Sequence, residues 1–323
     1  MYKMCFKVDF TTVEGIEYRL KLVHSIEINK SVENLASNCL ITLPGSRYNN
    51  PLFLPKEIKR GAEVKVHLGY NDDLQEEFRG YIKEVLSNNG SITIECEDAL
   101  FLFRKTVKNE QFTSITIKEI AEKLCSQVDA SYKVSCDYGI TYEKFTINDA
   151  TAYDVLKKLQ EDTSANIWFD TINKVLHIHP AYIHKGGYVK YSMHQNIESS
   201  SLEYRSAQDK KVEIVVETTD AKGKTTQTTA GTTGGEKLTI KIGSVGKKDA
   251  KEIAESKLRQ HLFDGYKGSF TGWLIPYVEP SYSAYVMDQE YPEKTGTYYV
   301  VSVKTSFSPS GGKRDVELGI RLE

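Results

Sequence analysis

Three histidines stand close together in the sequence, at His177, His179 and His184. On a β-strand His177 and His179 would share one face, because successive side chains point to opposite sides. Two histidines at this spacing can bind zinc when a third ligand joins them. No cysteine or carboxylate stands at short spacing to complete such a set. We therefore interpret the histidines as a solvent-facing polar row, and we expect neither a metal site nor a cofactor.

Three acidic residues, Glu95, Glu97 and Asp98, are the second candidate for chemistry. Glycoside hydrolysis needs two carboxyl groups about 5–10 Å apart, and Glu95 and Glu97 would reach that distance as same-face neighbours on a strand. The same spacing arises on any strand with an acidic outer face, which is our preferred interpretation. No G-x-S-x-G motif is present, and no cysteine stands in a recognisable catalytic context. The sequence thus predicts no catalytic residue.

The composition speaks against two classes of function. The chain has 323 residues and a formal net charge of -2, so no electrostatic field favours a phosphate backbone. Its longest apolar run is far shorter than the ~20 residues that span a membrane. The five cysteines are scattered and lack C-x-x-C spacing, which indicates reduced thiols rather than structural disulfides. We expect neither nucleic-acid recognition nor membrane insertion.

The segment Gly61–Phe103 reads as three consecutive antiparallel strands. The first strand alternates apolar and polar residues, which predicts one buried face and one outward face. The outward residues are Glu63, Lys65 and His67. In the second strand Val85 is out of phase with Ile82, which predicts a β-bulge. A curled meander of this kind is typical of a small barrel or sandwich.

The periodicity changes after this meander. From Thr116 the apolar residues recur at helical spacing, and Thr116 and Glu119 have the spacing of a capping box. A second helix is predicted to begin at Thr151, with Asp154 three residues further on. A strand pair around residues 167–179 follows. This pattern predicts a small unit in which helices lie beside a short sheet.

Strand patterns return after residue 200, and the final strands repeat the order of the first meander. The fold class predicted is mainly β with an α+β insert: two small antiparallel β-barrels that flank a helix-containing middle domain. The expected domains are residues 1–105, 106–190 and 191–323. The last would include a helix over 248–263 and a flexible loop, rich in Thr and Gly, over 218–236.

An ordered set of segments carries a family resemblance. GAEVKVHLGY, EEFRGYIKEV and SITIECEDA come first, NIWFDTINKVLHI follows, and TGTYYVVSVKTSFSPSGGKRDVELGI closes the chain. This set resembles the late control protein D family, the central hub proteins of phage tails and contractile injection systems. It is also similar to the N-terminal half of type VI secretion spike proteins. The resemblance extends over nearly the whole chain.

The resemblance implies a structural role without enzymatic activity. It implies a homotrimer whose two barrels per subunit form a pseudo-sixfold ring, which joins a hexameric tail tube to a trimeric spike. The chain ends without a β-helical extension, so we expect a separate spike protein. Baseplate wedge and tape-measure proteins are further expected partners. The protein would be assembled in the bacterial cytoplasm and would lie in the tail or baseplate of a virion, or in an injection particle.

The residues expected to contact partners are Glu63, Lys65, His67, Glu95 and Glu97. Two alternatives stay open. One is a tail-associated cell-wall hydrolase that uses the acidic residues. The other is a receptor- or carbohydrate-binding β module, since the chain has 20 tyrosines and this amphipathic side chain suits interfaces. The sequence does not distinguish a contractile tail from a non-contractile one.

Overall fold

The protein is seen in a computed structural model that describes residues 2–44, 58–88, 91–205, 210–219, 223–243, 245–262 and 264–322. The strands of the first third are β1 (Met4–Thr11), β2 (Glu17–Arg19), β3 (Ser25–Ser31), β4 (Asn38–Leu43), β5 (Glu63–Tyr70), β6 (Asp73–Asn88) and β7 (Ser91–Glu97). The next strands are β8 (Glu110–Thr116), β9 (Lys133–Cys136), β10 (Thr141–Ile147), β11 (Asn166–Asp170) and β12 (Val175–His179).

The remaining strands belong to the second half of the chain. They are β13 (Tyr188–Ser192), β14 (Ile197–Ser200), β15 (Glu203–Arg205), β16 (Val212–Thr219), β17 (Thr225–Gly231), β18 (Glu236–Ile242), β19 (Gly265–Trp273), β20 (Ser283–Met287), β21 (Gly296–Ser308) and β22 (Gly311–Arg321). The helices are α1 (Ile117–Val128), α2 (Ala152–Thr163) and α3 (Lys247–His261), with short 3-10 helices at Ala99–Arg104 and Pro292–Lys294. No described helix is long and apolar enough to cross a membrane.

The first barrel is built from β1 to β7, in the order β3-β4-β7-β6-β5-β1-β2. Its inward residues alternate with outward ones, as the period of a half-buried strand requires, and they form one apolar core. The predicted bulge is confirmed: the β6–β7 register shifts between Ile82 and Glu84. A second shift, between Val66 and His67 in the β5–β6 pairing, places Glu77 out of register. Both irregularities add twist to the long strand β6.

The second barrel repeats this plan. Strands β20, β21 and β22 form an antiparallel meander with the connectivity of β5, β6 and β7, and the long strand β21 again carries register shifts. Strand β19 pairs with β22, and β14 and β15 pair with β19. One pairing departs from the antiparallel rule, because β13 lies parallel to β20. The fold is mainly β with an α+β insert, as predicted.

The two barrels share one sheet. Strand β21 pairs antiparallel with β3 from Ser302–Ser31 to Phe307–Ile26, so fourteen strands form a single hydrogen-bonded sheet. The junction is also packed, since the ring of Phe307 meets Phe6 edge-on with ring centres 5.8 Å apart. Among the described strands, β3 and β21 are each paired on both sides at this junction.

The middle unit holds the largest apolar core of the described residues. The predicted capping box of α1 is present, formed by Thr116 and Glu119, and the predicted start of α2 is also a capping box, formed by Thr151 and Asp154. Each threonine hydroxyl accepts a backbone N–H of the first turn, and the acidic side chain accepts the N–H of the threonine. These caps satisfy donors that a helix start otherwise leaves unpaired.

The expectation of a flexible loop over 218–236 is wrong for its described part. Thr225–Gly231 forms β17, which pairs antiparallel with β16, and β18 pairs parallel with β16 on the other side. Only residues 220–222 of this stretch lie outside the described residues. This three-stranded sheet and α3 pack into the core of the middle unit. We therefore propose a middle domain that includes residues 212–254 as well as 106–190.

Candidate assembly face and central cleft

The outer row, defined as Glu63, Lys65 and His67, lies on β5 and points away from the barrel core. Glu63 Oε1 and Lys65 Nζ are 3.7 Å apart, an exposed pair that contributes little to stability. His67 Nε2 lies 3.8 Å from Glu76 Oε2. Burial lowers the pKa of His67 below its usual value, so this imidazole is neutral at pH 7. The row therefore offers one anion and one cation beside a largely covered neutral imidazole.

Glu95 continues this face on β7. Its direct neighbour across the strands is Glu84 on β6. Like charges directly opposite each other in a sheet repel. A cationic group on a neighbouring molecule would relieve that repulsion, which favours the predicted contact role of Glu95.

Glu97 stands on the same side of β7 as Glu95, but its side chain is covered. Its side chain is 3% exposed, and its carboxylate oxygens accept hydrogen bonds from Arg104 Nη2 at 2.6 Å and Nε at 2.7 Å. Arg104 ends the 3-10 helix that follows β7 and covers this end of the strand. The carboxylate already has an internal partner and almost no exposed surface, so Glu97 has little to offer a neighbouring molecule.

Asp98 has a structural role of its own. It caps the 3-10 helix, and its carboxylate accepts the backbone N–H of Ser37 at 2.7 Å and of Leu100 at 2.9 Å. Burial raises the pKa of Asp98 to about 7. Glu97 and Asp98 are thus both bound to internal partners, an arrangement that does not favour a pair of hydrolytic acids.

The histidine cluster, defined as His177, His179 and His184, contradicts the solvent-facing interpretation. His179 is only 2% exposed. The rings of His179 and His184 stack with centres 4.2 Å apart, and Trp168 stacks on His177 with centres 4.8 Å apart. The sequence spacing predicts that His177 and His179 share one strand face. The position of His184 over that face depends on the tertiary fold.

A cleft of about 390 Å³ opens where the two barrels and the middle unit meet. Trp168, His177 and His184 line one side of the cleft. Lys30 and Glu279 also line the cleft, and Lys30 Nζ donates to Glu279 Oε1 at 2.6 Å, with both side chains less than a quarter exposed. The lining of the cleft thus combines aromatic and imidazole rings with an ion pair.

Sequence reasoning missed the buried ion pair beside this cleft. Glu77 on β6 and Arg314 on β22 are each 1% exposed, and the guanidinium donates to both carboxylate oxygens, at 2.5 and 3.0 Å. Arg314 Nε also donates to the carbonyl of Leu274 at 3.0 Å. The register shift at Glu77 turns its carboxylate inward, and the phase slip seen in the sequence at Val85 belongs to the other bulge and did not indicate it.

These features can be set against known proteins. Residues 26–179 match the model of the YQBQ-like family. A prophage MuSo2 43 kDa tail protein from Shewanella oneidensis superposes with a TM-score of 0.69 at 17% identity, over 98% of both chains. A tail protein from Neisseria meningitidis gives a TM-score of 0.69 at 14% identity, over 97% of this chain and 96% of that one. The chain has the fold of phage tail proteins.

The tail-protein fold extends to secretion systems. A type VI secretion component from E. coli, described as structurally similar to bacteriophage T4 tail proteins, superposes with a TM-score of 0.59 at 10% identity, over 93% of this chain and 74% of that one. No curated protein matches the chain in sequence. The shared fold covers the sequence almost from end to end, so both barrels and the middle unit belong to it.

Proposed function

We propose that the protein is the structural hub of a phage tail or contractile injection system, in the manner of the late control protein D family, and that it has no enzymatic role. The observation that carries the proposal is the β21–β3 pairing, which joins two barrels of similar connectivity into one sheet. Because this pairing fixes the orientation of one barrel relative to the other, each subunit contributes two barrel walls at a constant relative position. Three subunits would present six walls to a hexameric tube while keeping a threefold axis for a trimeric spike.

The partners we propose are a tail tube protein and a separate spike protein, with baseplate wedge and tape-measure proteins at the periphery. The location we propose is the tail or baseplate of a virion or injection particle. The likeness to phage tail proteins over nearly the whole chain supports this placement. Ring closure also has a physical rationale, since a head-to-tail contact closes only when its rotation fits the number of subunits.

The contact surface we propose consists of the outer row and Glu95. These side chains lie on the outward face of the first barrel. Charge patterns at the rim of an interface set orientation and association rate more than affinity. The surface would therefore fix the register between a subunit and its neighbour or the tube.

The first experiment measures the mass of the purified chain by light scattering, with particle images for symmetry. The proposal expects three times the 36.6 kDa of one chain, in rings with threefold or pseudo-sixfold views, alone or with the tube protein added. A chain that stays monomeric at high concentration and with the tube protein present would contradict the proposal.

A charge swap then tests the contact surface. The double variant Glu63→Lys and Lys65→Glu keeps the net charge and the in-chain pair, but it reverses the pattern offered to a neighbour. We expect ring or tube association to weaken by about tenfold, or about 1.4 kcal/mol. The matched control swaps Lys118 and Glu122 on α1, whose charged atoms are 3.8 Å apart. Equal effects of the two swaps would reject the proposed surface.

A further inference from the structure

We infer that His177, His179 and His184 form a binding site for a divalent transition-metal ion of the zinc class. Each of the three imidazoles offers one ring nitrogen to a common centre, and these nitrogens lie within 4.8 Å of one another. Neutral imidazole is a preferred ligand of zinc, copper, nickel and iron ions. Three histidines with an open fourth position form a well-attested zinc set.

The spacing of the nitrogens is close to that of a metal site. A tetrahedral zinc ion with Zn–N bonds of about 2.0–2.1 Å holds its ligand nitrogens about 3.3 Å apart. His177 Nδ1 and His179 Nε2 are already 3.1 Å apart, joined by a hydrogen bond that a bound ion would replace. The His184 ring lies beside them, with its centre 4.9 Å from that of His177 and 4.2 Å from that of His179, and a side-chain rotation would direct its nitrogen toward the ion.

Asp137 prepares His179 for this role. Its Oδ1 lies 2.5 Å from His179 Nδ1, so the carboxylate accepts a hydrogen bond from the N–H at that position. The lone pair of His179 is then fixed on Nε2, the nitrogen that faces His177. A carboxylate that holds the far nitrogen of a metal-binding histidine is the usual outer support of zinc sites.

The fold holds His184 over the strand. Ahead of it, the N–H of Ala181 donates to Ser256 Oγ on α3 at 3.1 Å, and the ring of Tyr182 packs edge-on against Tyr299 of the second barrel. Behind it, the N–H of Gly186 donates to the carbonyl of Ser281 at 3.0 Å. The segment that carries His184 is thus anchored on both sides, which limits the cost of ordering it around an ion.

The cluster is open to the central cleft on one side. His177 and His184 line the cleft, so a water molecule can fill the fourth position. The ion would tie β12 of the middle unit to the segment that leads into the second barrel.

The test uses the full chain without an affinity tag. After removal of metals with a chelator, zinc alone is titrated in a calorimeter, and bound metal is measured by elemental analysis. We expect one ion per chain and a rise in melting temperature with added zinc. Cobalt in its place should give the absorption of a tetrahedral ion. Less than a stoichiometric amount of zinc on the wild-type chain would overturn the inference.

Three variants locate the site. His184→Ala should abolish stoichiometric binding, and Asp137→Asn should weaken binding about 10- to 100-fold. The control His194→Ala removes an exposed histidine outside the cluster and should bind as the wild type does. Melting in chelator shows whether each variant is folded. If His184→Ala is unfolded, the zinc affinity of Asp137→Asn tests the site instead. Zinc binding with wild-type stoichiometry and affinity in both variants, each folded, would place the ion elsewhere and reject the site.

Discussion

The buried ion pair between the barrels makes the sharpest prediction about stability. Arg314→Met would leave the carboxylate of Glu77, 1% exposed, without the guanidinium that donates to both of its oxygens. Removing one partner of a buried pair costs about 3–5 kcal/mol, because the remaining charge stays desolvated. That is a large share of the roughly 5–15 kcal/mol that stabilises a typical protein.

Urea unfolding followed by near-ultraviolet circular dichroism measures this effect. With an m-value of about 3 kcal/mol per molar urea, the midpoint should fall by about 1 M or more. The matched control is Arg79→Met. Arg79 makes the same two-pronged contact with Glu76, at 2.7 and 3.0 Å, but its side chain is 26% exposed. Its loss should cost about 1 kcal/mol or less.

A double-mutant cycle decides whether the pair itself is responsible. Replacing both Glu77 and Arg314 by Met removes the stranded charge, so the double variant should be more stable than Arg314→Met alone. The reasoning is refuted if Arg314→Met costs less than about 1 kcal/mol, the expected level of an exposed pair. It is equally refuted if the two single effects simply add.

Three further predictions concern single side chains. Burial raises the pKa of Asp98 from 3.8 to about 7, so the folded protein holds this proton more tightly than the unfolded chain does. The resulting stabilisation of the fold is present at pH 4 and is lost as the pH rises to 7, a loss of about 4 kcal/mol in the free energy of unfolding. Asp98→Asn should flatten this slope in urea unfolding between pH 4 and 8, and an unchanged slope would contradict the assignment. Thr151→Ala removes the α2 cap and should cost about 1 kcal/mol by thermal melting, whereas Thr146→Ala on an exposed position should be neutral. Leu156→Ala empties a fully buried position and should cost about 2–5 kcal/mol in the same assay; a cost below 1 kcal/mol would show that the core collapses around it.

The sequence by itself determined the elements with strong local signals. The alternation around Val64 and Val66 fixes a half-buried strand, because only one register places all apolar side chains inside. The boxes at Thr116 and Thr151 fix two helix starts, because their hydrogen bonds lie within four residues. The phase slip at Val85 located a real bulge, because the extra residue of a bulge shifts the alternation of side chains within the same strand.

Other elements lacked such a signal. Strand β17, Thr225–Gly231, has almost no apolar residue, and it is held by backbone pairing with β16 and by contacts such as Thr218 Oγ1 to Thr226 Oγ1 at 2.8 Å. A pattern search interprets this polarity as a loop, although threonine favours strands. The assignment of α3 to the middle core also required the packed structure.

Only the tertiary structure decided the buried polar groups. Glu77 and Arg314 are 237 residues apart in sequence, and Asp137 and His179 are 42 residues apart. Their contacts depend on how barrels and middle unit pack, and no local periodicity encodes that. For the same reason three histidines interpreted as a polar row form a partly buried cluster, because the segment that follows β12 folds back across the strand that carries two of them.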